Sequence, residues 1–132
     1  MIDGFPPSVN HLYIHRGFRK IKTKKYNDWE ANVFKSLEDT KRPEVRGLLR
    51  VEIDYCSDHW FTKKDGKPRR VDLDNLQKAT LDPLFKWLDV DDKLVFELMT
   101  RKRLLSRGED RYIVVRVFEV AEGFSASDQL CV

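Results

Sequence analysis

Apolar positions along the chain follow two different periods, and the places where the period changes mark out its elements. From Tyr26 to Thr40, Trp29, Val33, Phe34 and Leu37 recur at helical spacing, which predicts a first helix with Asn27 or Asp28 as its N-cap. Leu48 to Tyr55 reads LLRVEIDY: Leu49, Val51, Ile53 and Tyr55 alternate with Arg50, Glu52 and Asp54, so a strand with one apolar and one polar face is expected. The helical period returns from about Asp74 in Leu76, Ala79, Thr80, Leu84, Trp87 and Leu88, although Pro83 within it predicts a kink or an early stop. Leu94 to Leu104 and Arg111 to Val120 read as strands joined by the turn SRGED. In the second, Ile113, Val115 and Val117 stand opposite Tyr112, Val114, Arg116 and Phe118, so both faces are partly apolar and a central position is expected.

The intervals are turn-like. FPPS near the start forbids helix, a loop is expected across the basic run after it, and KKDGKPRR is a turn-rich basic loop. The resulting order is strand or loop, helix, strand, helix, strand, strand. It predicts an α/β (α+β) fold: a single small domain with a mixed β-sheet and two main helices. Residues 1–121 are expected to fold, and the polar, small-residue-rich stretch 122–132 to be a poorly ordered tail.

Composition adds bounds. A chain of 132 residues is long enough for one core and too short for two. No run approaches the roughly 20 apolar residues of a membrane span, and MIDGFPPSVN lacks the apolar core of a signal peptide, so a cytoplasmic protein with no membrane partner is expected. Cys56 and Cys131 are read as free thiols. The balance of 25 Lys+Arg against 22 Asp+Glu says little, but its distribution says more. Arg16, Arg19, Lys20, Lys22, Lys24 and Lys25 form a run with no acid among them, and Lys63, Lys64, Lys67, Arg69 and Arg70 face only Asp65. Between Asp72 and Asp92 the sign reverses, with six aspartates against Lys78 and Lys86. Basic flanks around an acidic centre suit a polyanion gripped at its edges and a cation held in the middle.

The chemistry concentrates in RRVDLDNLQKATLDPLFKWLDVDD. Asp72 and Asp74 stand two apart; on an extended approach to the helix both carboxylates would point the same way, as two oxygen donors to one hard cation must. Lys78, four residues beyond Asp74, falls one helical turn further on, where it can meet the phosphate such a cation draws in. A third donor is available from Asp89, Asp91 or Asp92 where the helix ends. A D-x-D pair alone equally fits a helix cap beside a surface ion pair. The second acidic cluster, the adjacent Arg69 and Arg70, and the offset of Lys78 favour the metal. An EF-hand is excluded because the chain continues as amphipathic helix where that loop needs its turn glycine.

The string DLDNLQKA, the acidic WLDVDD after it, the arginine-rich loop before it and the N-terminal PPSVNHLY closely resemble the RusA family of Holliday junction resolvases, from about Phe5 to Val120. The resemblance implies a homodimeric, Mg²⁺-dependent endonuclease that makes paired, symmetric nicks across a four-way DNA junction in recombination and repair. By position it assigns the catalytic and metal-binding aspartates to Asp72, Asp74 and Asp92, the last being the second member of the family's Asp-Asp pair, and the essential lysine to Lys78. It implies DNA contacts from the two basic runs. The chain departs from the pattern twice: only MIDGF precedes the prolines, so the family's first strand is expected to be short or missing, and the loop from Ser57 to Arg70 is longer than usual. Rival readings are a non-catalytic DNA-binding module and a nuclease for flaps, forks or other branched DNA. His11 and His15 make a poor zinc site without a third ligand; burial is the better reading for Trp60 than base stacking; Trp29, Phe34, Trp87 and Phe118 are assigned to core or dimer interface.

Overall fold

The computed structural model describes residues 1–120 and the backbone of Ala126–Cys131. Its elements in order are β1 (Ile2–Asp3), β2 (Tyr13–Arg16), β3 (Arg19–Lys22), α1 (Lys24–Leu37), β4 (Leu48–Ser57), α2 (Asp74–Leu88), β5 (Val95–Leu104), β6 (Tyr112–Val120) and β7 (Ala126–Cys131). Short 3₁₀ turns at Val9–His11 and Asp92–Leu94 precede β2 and β5.

The period-two alternation of β4 places it at the centre. Leu49, Val51, Ile53 and Tyr55 are all 0% exposed beneath the helices, while Arg50, Glu52 and Asp54 occupy the other face. β5 pairs parallel to β4 and β6 antiparallel to it, so the sheet is mixed, in the order β1-β6-β4-β5. The parallel pair is joined by α2, which lies over the apolar face as the crossover such a pair needs. β1 is the short first strand expected from the N-terminus, pairing Ile2 with Ile113 and Asp3 with Tyr112. β6 is interior, as its two half-apolar faces suggested. The sequence expects a loose tail from 122, yet over Ala126–Cys131 the backbone runs antiparallel to β6. It takes the part of that edge, Arg116 to Val120, that β1 leaves open and whose N–H and C=O groups need partners. Residues 121–125 and 132 lie outside the described residues.

The helices form one layer against this face. α1 is capped by Thr23, whose hydroxyl accepts from the Tyr26 amide at 3.2 Å; Asn27 and Asp28, the expected caps, lie inside the helix. The apolar phase begins at Tyr26, the third helical residue, and a cap belongs three places before it. Pro83 does not stop α2, which continues to Leu88. A proline leaves the carbonyl four residues earlier without its donor, here that of Ala79, and the Trp29 indole N–H fills the gap at 2.7 Å. Tyr55 bonds Thr80 (O···O 2.7 Å), and the Thr80 hydroxyl lies 2.8 Å from the Leu76 carbonyl, tying α2 to β4. Trp29 is in the core and Trp87 packs against it, whereas Phe34 is half-buried and Phe118 lies on the opposite sheet face under the Arg50 guanidinium, 4.2 Å from its ring.

Candidate functional site

Three segments border α2: the basic loop before its start, the chain after its end, and β5 alongside. The loop is ordered, not slack. Phe61 bridges Pro68, the Thr62 amide donates to the Lys67 carbonyl at 2.8 Å, and Asp65 accepts from the Thr62 hydroxyl and the Lys67 amide around Gly66, which adopts φ +66°. Lys63, Lys64, Lys67, Arg69 and Arg70 are all exposed on this ribbon. Trp60 at its foot is buried, its indole donating to the Arg103 carbonyl at 2.8 Å, so it anchors the loop as expected.

Asp72 and Asp74 reach a common cleft by a different route from the extended approach read in the sequence. Leu73 between them is αR, and the Asp72 carbonyl accepts the Asn75 amide at 3.1 Å, so a turn, not a strand, brings them round. Both carboxylates line an open cleft with Val71, Gln77 and the Thr100–Arg103 stretch of β5. Neither caps the helix, since α2 has no side-chain cap, and neither carboxylate has a hydrogen-bond or ion-pair partner among the described residues. Asp74 also sits in the first turn, where the unpaired amides favour negative charge.

Asp74 lines a second, adjoining cleft together with Gln77, Lys78, Asp82 and Asp92. Lys78 is held by Asp82 at 2.9 Å, and that hydrogen bond chiefly, with weaker fields from Tyr13 and Asp92, raises its ammonium above the ordinary value. The end of α2 sorts the acidic cluster. Asp89 takes the left-handed conformation that terminates the helix (φ 57°); Asp91 caps the following 3₁₀ turn, accepting from the Lys93 amide at 2.9 Å; Asp92 faces the cleft. Asp74 is thus common to both clefts, with Asp72 on one side and Lys78 and Asp92 on the other. Among the described residues no three His, Cys, Asp or Glu side chains stand close enough to hold one metal ion. The donor chemistry itself fits a hard divalent cation, because Asp72, Asp74 and Asp92 offer exposed carboxylate oxygens only.

A family model described as Endodeoxyribonuclease RusA matches residues 3–117. The chain belongs to the RusA endodeoxyribonuclease family. A search of curated proteins returns no match. As a RusA family endodeoxyribonuclease the chain is a nuclease that cuts DNA internally, and its basic side chains take their meaning from that. In the first run Arg16, Arg19, Lys20 and Lys25 are exposed without an acidic partner among the described residues. Lys22 and Lys24 differ: Lys22 pairs with Glu30 at 2.7 Å and Lys24 with Asp28 at 2.6 Å. His11 meets Ser8 at 3.0 Å, in keeping with a structural role.

Sequence reasoning missed the basic strand residues of β5. Lys102 stands 5.0 Å from the Trp60 ring beside the Asp72–Asp74 cleft. Its signal was parity with Thr100, which accepts from Gln77 at 3.3 Å on the helix side. Arg101 turns to the opposite face, where it reaches Asp54 at 2.7 Å, with Arg116 at 3.0 Å and Arg103 at 3.6 Å. Asp54 is only 3% exposed; burial works to raise its pKa, but the hydrogen bonds from Arg101 and Arg116 outweigh it and hold the carboxyl below its ordinary value. No helix among the described residues is long and apolar enough to cross a membrane.

Proposed function

We propose that this RusA family member is a Mg²⁺-dependent Holliday junction resolvase, which cuts four-way DNA by paired, symmetric nicks in recombination and repair and works as a homodimer in the cytoplasm. The observation that carries the reading is the pair of partnerless carboxylates, Asp72 and Asp74, with Asp74 shared by the cleft that Lys78 and Asp92 line. Asp72, Asp74 and Asp92 would hold the cation by drawing closer together than they stand here. When bound, it neutralises the scissile phosphate and acidifies the attacking water. Lys78, kept protonated by Asp82, stabilises the charge that grows on the phosphate oxygens in the transition state. The exposed cations of the Lys63–Arg70 ribbon and of Arg16, Arg19, Lys20 and Lys25 grip the arms through phosphate, without reading sequence.

A four-way junction has two-fold symmetry, so a C₂ dimer offers one active site to each of two opposed strands. The outer edge of β5 has no neighbouring strand among the described residues, and Met99 and Leu104 along it are exposed, which gives a second copy a surface to meet. The test is incubation of the protein with a labelled four-way junction, a flap and a plain duplex, each with Mg²⁺ and with EDTA. Junction cleavage in Mg²⁺ alone is expected. Cleavage of none of the three would return the chain to a non-catalytic binding role, and preferential cutting of the flap would replace the junction as substrate.

A further inference from the structure

The basic run from Arg16 onward reads as a loop in the sequence, yet it folds as a two-stranded ribbon that leaves the body of the protein. β2 and β3 pair from Tyr13↔Lys22 out to Arg16↔Arg19, and Gly17 and Phe18 alone close the turn. Gly17 takes φ +63°, as the first position of a two-residue II′ turn requires. At about 3.3 Å per residue, four residues lift the tip roughly 13 Å from the foot. The foot is fixed: the Tyr13 and Tyr26 rings meet edge to face at 5.6 Å, and the Thr23 amide donates to the Leu12 carbonyl at 2.9 Å. The ribbon's base also meets the helix that carries Asp74 and Lys78, since the Val9–His11 turn just before β2 packs against α2. The tip carries Phe18, fully exposed, the most exposed of the large apolar side chains among the described residues.

A phenylalanine in that position loses the burial that ordinarily accounts for the residue, and it serves neither the core nor the foot. Its neighbours define what it can meet. Arg16 and Arg19 flank it, Lys20 follows, and Ile14 and Ile21 form a half-exposed apolar pair on the ribbon's outer face. Cations around a flat ring suit phosphates around a flat base. Accepting the DNA reading above, on which this rests, we propose that Phe18 is a wedge that stacks on a nucleobase at the branch point of the DNA. At a branch point base pairs lack a continuous neighbour on one side, so inserting a ring costs less there than in the middle of a duplex. The ribbon thereby supplies selection for branched DNA near the carboxylates that cut it.

The experiment uses the full chain, F18A and F18W, with a four-way junction carrying 2-aminopurine beside the exchange point and a matched duplex carrying the same label, in EDTA. Wild type and F18W should raise junction emission as the labelled base loses its stacking neighbour, and F18A should not. F18A should bind the junction about tenfold or more weakly, as loss of one base–aromatic stack implies, with duplex affinity unchanged. Equal emission and affinity for F18A and wild type would overturn the proposal. So would an F18A protein that sediments in a different oligomeric state while junction emission persists, because the tip would then meet a second copy. A wild-type protein that binds neither DNA would defeat the endonuclease reading as well; one that cuts junctions while F18A does so identically defeats the wedge alone.

Discussion

At the scale of single residues, Asp74 is the position on which most depends, because its carboxylate is the one that borders both clefts. Asp74→Asn should abolish cleavage and leave junction binding intact or tighter, since it removes a metal-binding charge without touching the basic grip; gel-shift and cleavage assays on one preparation check both. Asp92→Asn should slow turnover by orders of magnitude, a barrier increase of roughly 3 kcal/mol or more, whereas Asp89→Asn and Asp91→Asn should change it little. Activity retained in the Asp92 variant but lost in the Asp89 variant would invert the assignment. The candidate residues were legible because spacing alone, two for the acids and four for the lysine, brings them to one end of one helix. How Asp72 joins Asp74 was not legible, because the αR turn at Leu73 carries no glycine or proline to announce it.

Among the elements, α2 is the one whose integrity the site needs, and its weak point is the carbonyl that Pro83 leaves without a donor. Trp29→Phe keeps most of the apolar bulk but removes the indole N–H, so it should destabilise by about 2–3 kcal/mol, the cost of a buried acceptor left unpaired. Pro83→Ala restores an amide to Ala79, and in that background the Trp29→Phe penalty should shrink. Chemical denaturation of the four proteins of this cycle measures the coupling, and strict additivity would show that the indole serves only as volume. Periodicity revealed both helices and the long strands. It missed the β2–β3 ribbon, where charged residues occupy both faces outside the core and leave no hydrophobic alternation to read. The early stop expected at Pro83 failed for a related reason: the compensating group lies 54 positions away in sequence order (83 minus 29), where no local pattern can report it.

For the molecule as a whole, charge governs behaviour in salt and in acid. Junction affinity should fall steeply with salt, and replacing Arg16, Arg19 and Lys20 together by alanine should flatten the slope of log K against log salt by up to about 3 units if each meets a phosphate. Replacing Lys22 and Lys24 should flatten it less, because Glu30 and Asp28 already engage them. A larger effect from that pair would place the DNA along α1 instead of the ribbon. Stability in acid depends on Asp54. Its folded pKa lies below the ordinary 3.8, so the unfolded chain binds the proton more readily; the contribution is complete above pH 3.8 and drains away as pH falls through the lower folded value. Asp54→Asn should lower stability at neutral pH by about 2–4 kcal/mol and flatten the acid limb of the unfolding curve. An unchanged acid limb would move that linkage to another carboxylate.

The left-handed residue Asp89 has one more consequence. It stops α2 with the Val90 amide on the Phe85 carbonyl at 3.1 Å and the Asp89 amide on that of Lys86 at 3.3 Å, so the helix has a hard end rather than a frayed one. Only Val90 and Asp91 separate that end from Asp92. The spacer therefore works as a reading frame for the side chains that follow. One alanine inserted after Asp91 would leave the turn cap in place but put the alanine where Asp92 now faces the cleft and carry Asp92 one step past it. A protein so altered should keep its fold and its DNA grip yet cut poorly, and a second inserted residue should not restore it, because the 3₁₀ turn into β5 would then start a step too late.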